Sequence, residues 1–125
     1  MNQKLTLIAG SIFGALSVMI GAFGAHALRN LLTQTNRLET FETAVKYQFY
    51  HALALILVGV LAFHLQHSGL RWAAICFTLG ILIFSGSLYI LCLSGITWLG
   101  AITPIGGTFM IIGWFSLLYA VAKSL

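Results

Sequence analysis

The stretch WAAICFTLGILIFSGSLYILCLSGITWLGAITPIGGTFMIIGWFSLLYAVA, residues 72–122, runs for 51 residues without an acidic or basic side chain. A helix crosses the ~30 Å hydrocarbon core of a bilayer with about 20 predominantly apolar residues, so this run can cross twice. Ser94 and Gly95 interrupt it, and Thr103-Pro104 reads as a helix N-cap followed by proline at the first helical position. Outward from it, residues 47–70 and residues 5–28 are charge-free runs of 24 residues each, enough for one crossing apiece. The map gives an all-α membrane protein, a four-transmembrane-helix bundle forming a single integral membrane domain over residues 1–125. Its spans are expected near 5–28, 47–65, 71–93 and 104–122.

Composition agrees with this map. Sixty per cent of the residues are hydrophobic and the mean hydropathy is +1.02, too apolar for a soluble domain of this length. The net charge of +4 comes from six basic and two acidic residues. The basic residues are divided among distant loops and read as membrane-surface anchors; no nucleic-acid partner is expected. The bilayer itself is the partner that this composition requires.

Residues 30–46 form the one polar stretch of any length. Asn36, with Glu39 three residues on, resembles a capping box, so a helix is expected to begin at Arg37. Leu38, Phe41, Val45 and Phe49 line one side of it at helical spacing. This predicts an amphipathic interfacial helix between helices one and two, running into helix two. Trp72 and Trp98 fall where interfacial aromatic residues gather.

Helix one carries a stripe of small residues: Gly10, Gly14, Ser17, Gly21 and Gly24. Their 4-3-4-3 spacing keeps them on one face, and such stripes let backbones approach closely in lipid. Packing against a neighbouring helix of the same chain is the expected use; a homo-oligomer interface or another protein partner is the sharper alternative. Lys4, the apolar run and Ala25-His26-Ala27 imitate a secretory signal. The apolar segment exceeds the usual ~7–15 residues, so helix one is expected to be retained. Cys76 and Cys92 lie roughly 24 Å apart along one helix, beyond disulfide reach, and read as buried small apolar residues.

An even number of spans places both ends and the loop after helix two on one face, side A, with Lys4, Arg71 and Lys123. Side B holds Arg29, Arg37 and Lys46, so the positive-inside count ties. The amino terminus tips the balance toward a cytoplasmic side A.

Side B also collects the groups that can carry chemistry. His26 closes helix one, Glu39 and Glu42 precede helix two, and Tyr47, Gln48, Tyr50 and His51 open it. Tyr89 comes near the side-B end of helix three. His26 and His51 are expected at similar depth, close enough to meet. Glu42 falls within the apolar stripe, with Lys46 four residues on in the favourable order; if buried, it needs Lys46, Arg29 or a histidine as partner. No carboxylate or cysteine stands at ligand spacing beside either histidine, so no metal and no cofactor is expected. His64 and His67 on side A read as interfacial caps. Trp114 lies mid-span, and its indole N–H is expected to bond inside the bundle.

The motifs GAFGAHAL (21–28), YQFYHALA (47–54), FSGSLY (84–89) and TPIGG (103–107) occur in an order that resembles a known family. It is the small membrane proteins catalogued as domain of unknown function 423, similar to transmembrane protein 256. The resemblance covers essentially the whole chain. It implies a four-helix, multi-pass protein, in bacteria one of the plasma membrane, and brings no established reaction. The matching motif residues are His26, Tyr47, Gln48, His51, Ser85, Ser87, Tyr89 and Pro104, most of them at side B. A non-enzymatic structural or accessory component of the membrane is the leading expectation. A small oligomeric transporter or channel with a polar site at one membrane face is the alternative.

Overall fold

A computed structural model describes residues 1–125. Asn2 starts the first helix, its Oδ1 accepting the Leu5 N–H at 2.8 Å, and α1 runs Gln3–His26. A six-residue helix α2, Arg29–Gln34, follows. Next come α3, Leu38–Leu61, and α4, Ser68–Gly80. Ile81–Ser85 turns as a π-helix and leads without a break into α5, Gly86–Ser94. A 3-10 turn, Thr97–Ala101, leads into α6, Thr103–Ser124. Four helical stretches are therefore long and apolar enough to cross a membrane: Gln3–His26, Leu38–Leu61, Ser68–Ser94 and Thr97–Ser124. The protein is an all-α membrane protein.

Two junctions differ from the sequence expectation. Asn36 does not cap α3. Its φ is 58°, and the Arg37 and Asn36 N–H groups donate to Leu32 O and Thr33 O. That pair of bonds is a Schellman closure of α2 with asparagine at the left-handed position. α3 starts immediately afterwards, at Leu38, and its amphipathic first turns over residues 38–46 run directly into the second span, as expected. Thr103 likewise does not cap α6; it is the first residue of that helix, with Ile102 as N-cap. Gly95, at φ 76°, ends α5 in the left-handed conformation that glycine adopts without a Cβ penalty.

The spans are not arranged as a closed square. α1 rests almost wholly on α3, and α6 on α4 and the π segment, which gives a row α1–α3–α4/α5–α6. Only 17% of the α1 span and 22% of the α6 span is buried, against 44% for α3 and 39% for α4/α5, so α1 and α6 are the outer members. The main core lies between α3, α4 and α6, where Leu55, Val58, Ala73, Ala74, Phe77 and Met110 meet. Half of these are small or slender, as expected where helices pack closely without a hydrophobic drive between them.

Register follows from the glycines. A Cβ at Gly10 would come 2.9 Å from Ile56 Cδ1 and 3.0 Å from Ala52 O, and one at Gly24 would strike the Phe41 ring. On the other seam, a Cβ at Gly113 would lie 2.7 Å from Phe77 Cδ1, and one at Gly106 2.7 Å from Phe84 Cα. Both seams are antiparallel.

Candidate functional site

The buried face of α3 repeats at helical spacing through Phe41, Ala44, Gln48, His51, Leu55 and Val58. Two of these positions are polar and sit well inside a span, where an unpartnered polar group costs several kcal/mol. The polar atoms of both are partnered. Gln48 Nε2 donates to Phe13 O of α1 at 3.0 Å, and Tyr89 of α5 donates its hydroxyl to Gln48 Oε1 at 2.6 Å. One amide thus joins three helices. Ser85, at the end of the π segment, donates to Ala44 O at 2.7 Å. Ser87 and Thr103 share a hydrogen bond of 2.7 Å that joins α5 to α6. Ser87 also reaches Phe84 O at 2.9 Å and Thr103 reaches Leu99 O at 3.3 Å, so either hydroxyl can donate in the bond they share.

His51 has both ring nitrogens engaged. Nδ1 lies 2.8 Å from Tyr47 O, and the Trp114 indole N–H donates to Nε2 at 3.0 Å. A carbonyl only accepts and an indole N–H only donates, so the ring is the neutral tautomer with its proton on Nδ1. Phe77 and Trp114 tilt against the imidazole, with ring centroids at 5.4 and 5.9 Å. Neither nitrogen is free to ligate a metal or to accept a proton from a substrate. No three His, Cys, Asp or Glu side chains converge as a metal site.

The remaining side-B residues stay apart from this network. His26, Arg29, Glu39, Glu42 and Lys46 are exposed. Glu42 faces outward rather than into the bundle, because the buried face of α3 passes through Phe41, Ala44 and Gln48 instead. His26 and His51 do not meet. Gly10 of α1 is level with Ala52, and Gly24 with Phe41, so His26 lies roughly 20 Å nearer side B. The discrepancy comes from α3 starting at Leu38, which moves His51 from the mouth of the span to its middle. Tyr47 is half-exposed, its ring centroid 4.9 Å from that of Phe84.

In helix one, Gly10, Ser17 and Gly24 are buried, and Ser17 donates to Phe13 O at 2.7 Å. A Cβ at Gly21 would come 3.2 Å from Val45 Cγ1. Gly14 has nothing within 4 Å of an added Cβ, so this member of the stripe closes no contact. On side A, His67 is the N-cap of α4, its Nδ1 accepting the Gly69 N–H at 2.9 Å. Cys76 and Cys92 are free and buried.

Residues that the sequence left unmarked complete the bonding. Ser116 donates to Gly69 O at 2.8 Å, and Gln3 Nε2 to Ala62 O at 3.3 Å. The spacing of Ser116 from Gly113, one face of α6 three residues on, is the signal that marks it. No buried side-chain polar atom lacks a partner.

The family described as "Protein of unknown function (DUF423)" matches residues 20–107. A UPF0382 membrane protein of Staphylococcus haemolyticus is 45% identical over 121 residues, covering 97% of this chain and 98% of the relative. The UPF0382 membrane protein YwdK of Bacillus subtilis is 43% identical over 98% of this chain and 100% of its own length. A UPF0382 membrane protein of Haemophilus influenzae is 40% identical over 98% and 96%. No solved structure matches.

Proposed function

The chain belongs to the DUF423 family, and from that premise we propose that it is a non-enzymatic structural or accessory component of a bacterial plasma membrane. One observation carries this: Gln48, His51, Ser85, Ser87, Tyr89, Thr103 and Trp114 are bonded to one another or to a main-chain carbonyl of a neighbouring helix. A general base needs a free lone pair within reach of its substrate, and His51 offers none while Trp114 is in place. Of the residues that look like chemistry in the sequence, Gln48, His51, Ser85, Ser87 and Tyr89 make interhelical bonds, each contributing about 0.6 kcal/mol and at most ~1.7. The exposed faces of α1 and α6 then provide the surface for a larger membrane assembly or a second copy.

Complementation of a deletion strain at matched expression tests the proposal, read beside the unfolding temperature of purified variants. For an accessory role, His51→Ala and Gln48→Leu should lose function only in proportion to lost folded protein. A His51→Ala protein with wild-type level and unfolding temperature but no function would overturn it. So would proton or solute flux in liposomes that disappears with Glu42→Gln.

A further inference from the structure

Three neighbouring hollows on the side-B half of the molecule share one residue, Lys46. The outermost, about 800 Å³, is polar and lies against the α2–α3 corner, with Thr33, Asn36, Glu39, Thr40, Glu42 and Thr43 in its wall. Next comes a hollow of about 190 Å³ between α1 and α3, apolar except for Glu42 and Lys46, with Gly21, Gly24, Phe41 and Val45 around it. The innermost, about 240 Å³, continues along the same seam past Ser17 and Val18 to Phe49 and Tyr50. From Glu39 to Tyr50 the series extends roughly 16 Å along α3. It begins in the polar segment and ends near the middle of the span.

The charges along this path are ordered. Two carboxylates, Glu39 and Glu42, stand at its outer end. The single ammonium of Lys46 stands inside them, on a side chain that leans toward the helix N-terminus and hence toward side B. Apolar surface follows. Arg37 is not part of the path, since its guanidinium lies against Gly95 at the end of α5. A molecule complementary to this order carries a cation outermost, an anion next and a hydrocarbon chain innermost.

We propose that the α1–α3 groove binds a zwitterionic aminophospholipid of the phosphatidylethanolamine class. Its ammonium faces Glu39 and Glu42, its phosphate faces Lys46, and one acyl chain lies along Gly21, Val45 and Phe49. A primary ammonium has three N–H donors to give, and the outer hollow is rich in acceptors. Thr43 donates its own proton to Glu39 O at 3.0 Å, which leaves its oxygen to accept. A quaternary choline head has no such donor. A glycerol head has no cation for Glu39 and Glu42, and would leave Lys46 as the single positive charge among a phosphate and two carboxylates. This site goes beyond the accessory role and stands whether or not that role is correct.

Native mass spectrometry on protein taken from nanodiscs of equal phosphatidylethanolamine, phosphatidylcholine and phosphatidylglycerol tests the site. The wild-type chain should keep one phosphatidylethanolamine at about tenfold over either competitor. Lys46→Gln should reduce that retention about tenfold, and Gly21→Leu should abolish it by filling the groove. The double change Glu39→Gln, Glu42→Gln should move the preference to phosphatidylglycerol. Ser116→Ala, which removes a bond between α6 and α4 away from the groove, serves as the folding control and should keep the lipid. Absence of a retained lipid, equal retention of all three, a wild-type preference for another head group, or unchanged retention in Lys46→Gln would each overturn the proposal.

Discussion

The two outer helices are attached to the bundle by different means. α6 comes backbone to backbone with α4 and the π segment around Gly106, and packs on the Phe77 ring at Gly113. A Cβ on Gly106 would fall 2.7 Å from Phe84 Cα, and one on Gly80 would lie 3.1 Å from Gly106 O. α1 meets α3 mainly through side-chain atoms: Phe41 fills the space over Gly24, Ile56 covers Gly10 beside the Ala52 carbonyl, and Gly14 faces nothing. The first seam is closed along its length, and the second is left with hollows. A glycine stripe in a membrane helix therefore has two meanings. Against another backbone it sets the distance between helices, and against flexible side chains it leaves room that lipid can enter.

The contrast is broken first at Gly106. Gly106→Ala places a methyl group into main-chain atoms that cannot rotate away, and should cost about 3 kcal/mol, the upper end for overpacking. Equilibrium unfolding in bicelles measures this. A cost near that of Gly24→Ala, where the Phe41 ring can swing aside, would mean that the two seams do not differ.

A smaller effect belongs to the bonds across the α1–α3 seam. Gln48→Leu removes the donor to Phe13 O and the acceptor for Tyr89, and should lower stability by about 1–2 kcal/mol. A double-mutant cycle with Tyr89→Phe isolates the shared bond. A coupling indistinguishable from zero would show that Gln48 stabilises through packing alone.

The smallest effect has the opposite sign. Gly14→Ala meets open space on a helix and should raise stability by about 0.5–1 kcal/mol, because alanine loses less conformational freedom on folding. A destabilised Gly14→Ala protein, measured in the same bicelles, would mean that the position is covered by a second copy or a lipid.

Much of the architecture is legible in the sequence because hydrocarbon thickness sets a length that charge-free runs either meet or miss. Where each span begins is less legible. A helix start at Arg37 falls one residue from the observed Leu38. The charge map, however, puts the span only after Lys46, the last charge before the second apolar run; Glu42 and Lys46 are exposed and need not be expelled from it. That shift decides the depth of His51 and removes its pairing with His26. Asn36 suits an N-cap and a left-handed C′ position equally well, and residue type alone does not choose between them. The separate fates of Gly14 and Gly106 depend on which atoms of another helix lie opposite, which one helix's spacing does not encode. Trp114 could be read as needing a bond within the bundle, but its partner could not.

The π turn over Ile81–Ser85 leaves one span phased two ways. Ahead of it, Gly69, Phe77 and Gly80 are directed at Ser116, Gly113 and Met110 of α6. From its last residue onward, Ser85, Tyr89 and Cys92 direct their hydrogen bonds to Ala44, Gln48 and Arg37, on α3 or at its N-cap. Each residue turns a helix by about 100°, so one residue taken up as a bulge swivels everything after it to a new azimuth. The third span is in this sense a splice between two antiparallel hairpins. Deleting a single residue there would leave α1–α3 and α4–α6 each able to pair while uncoupling one hairpin from the other.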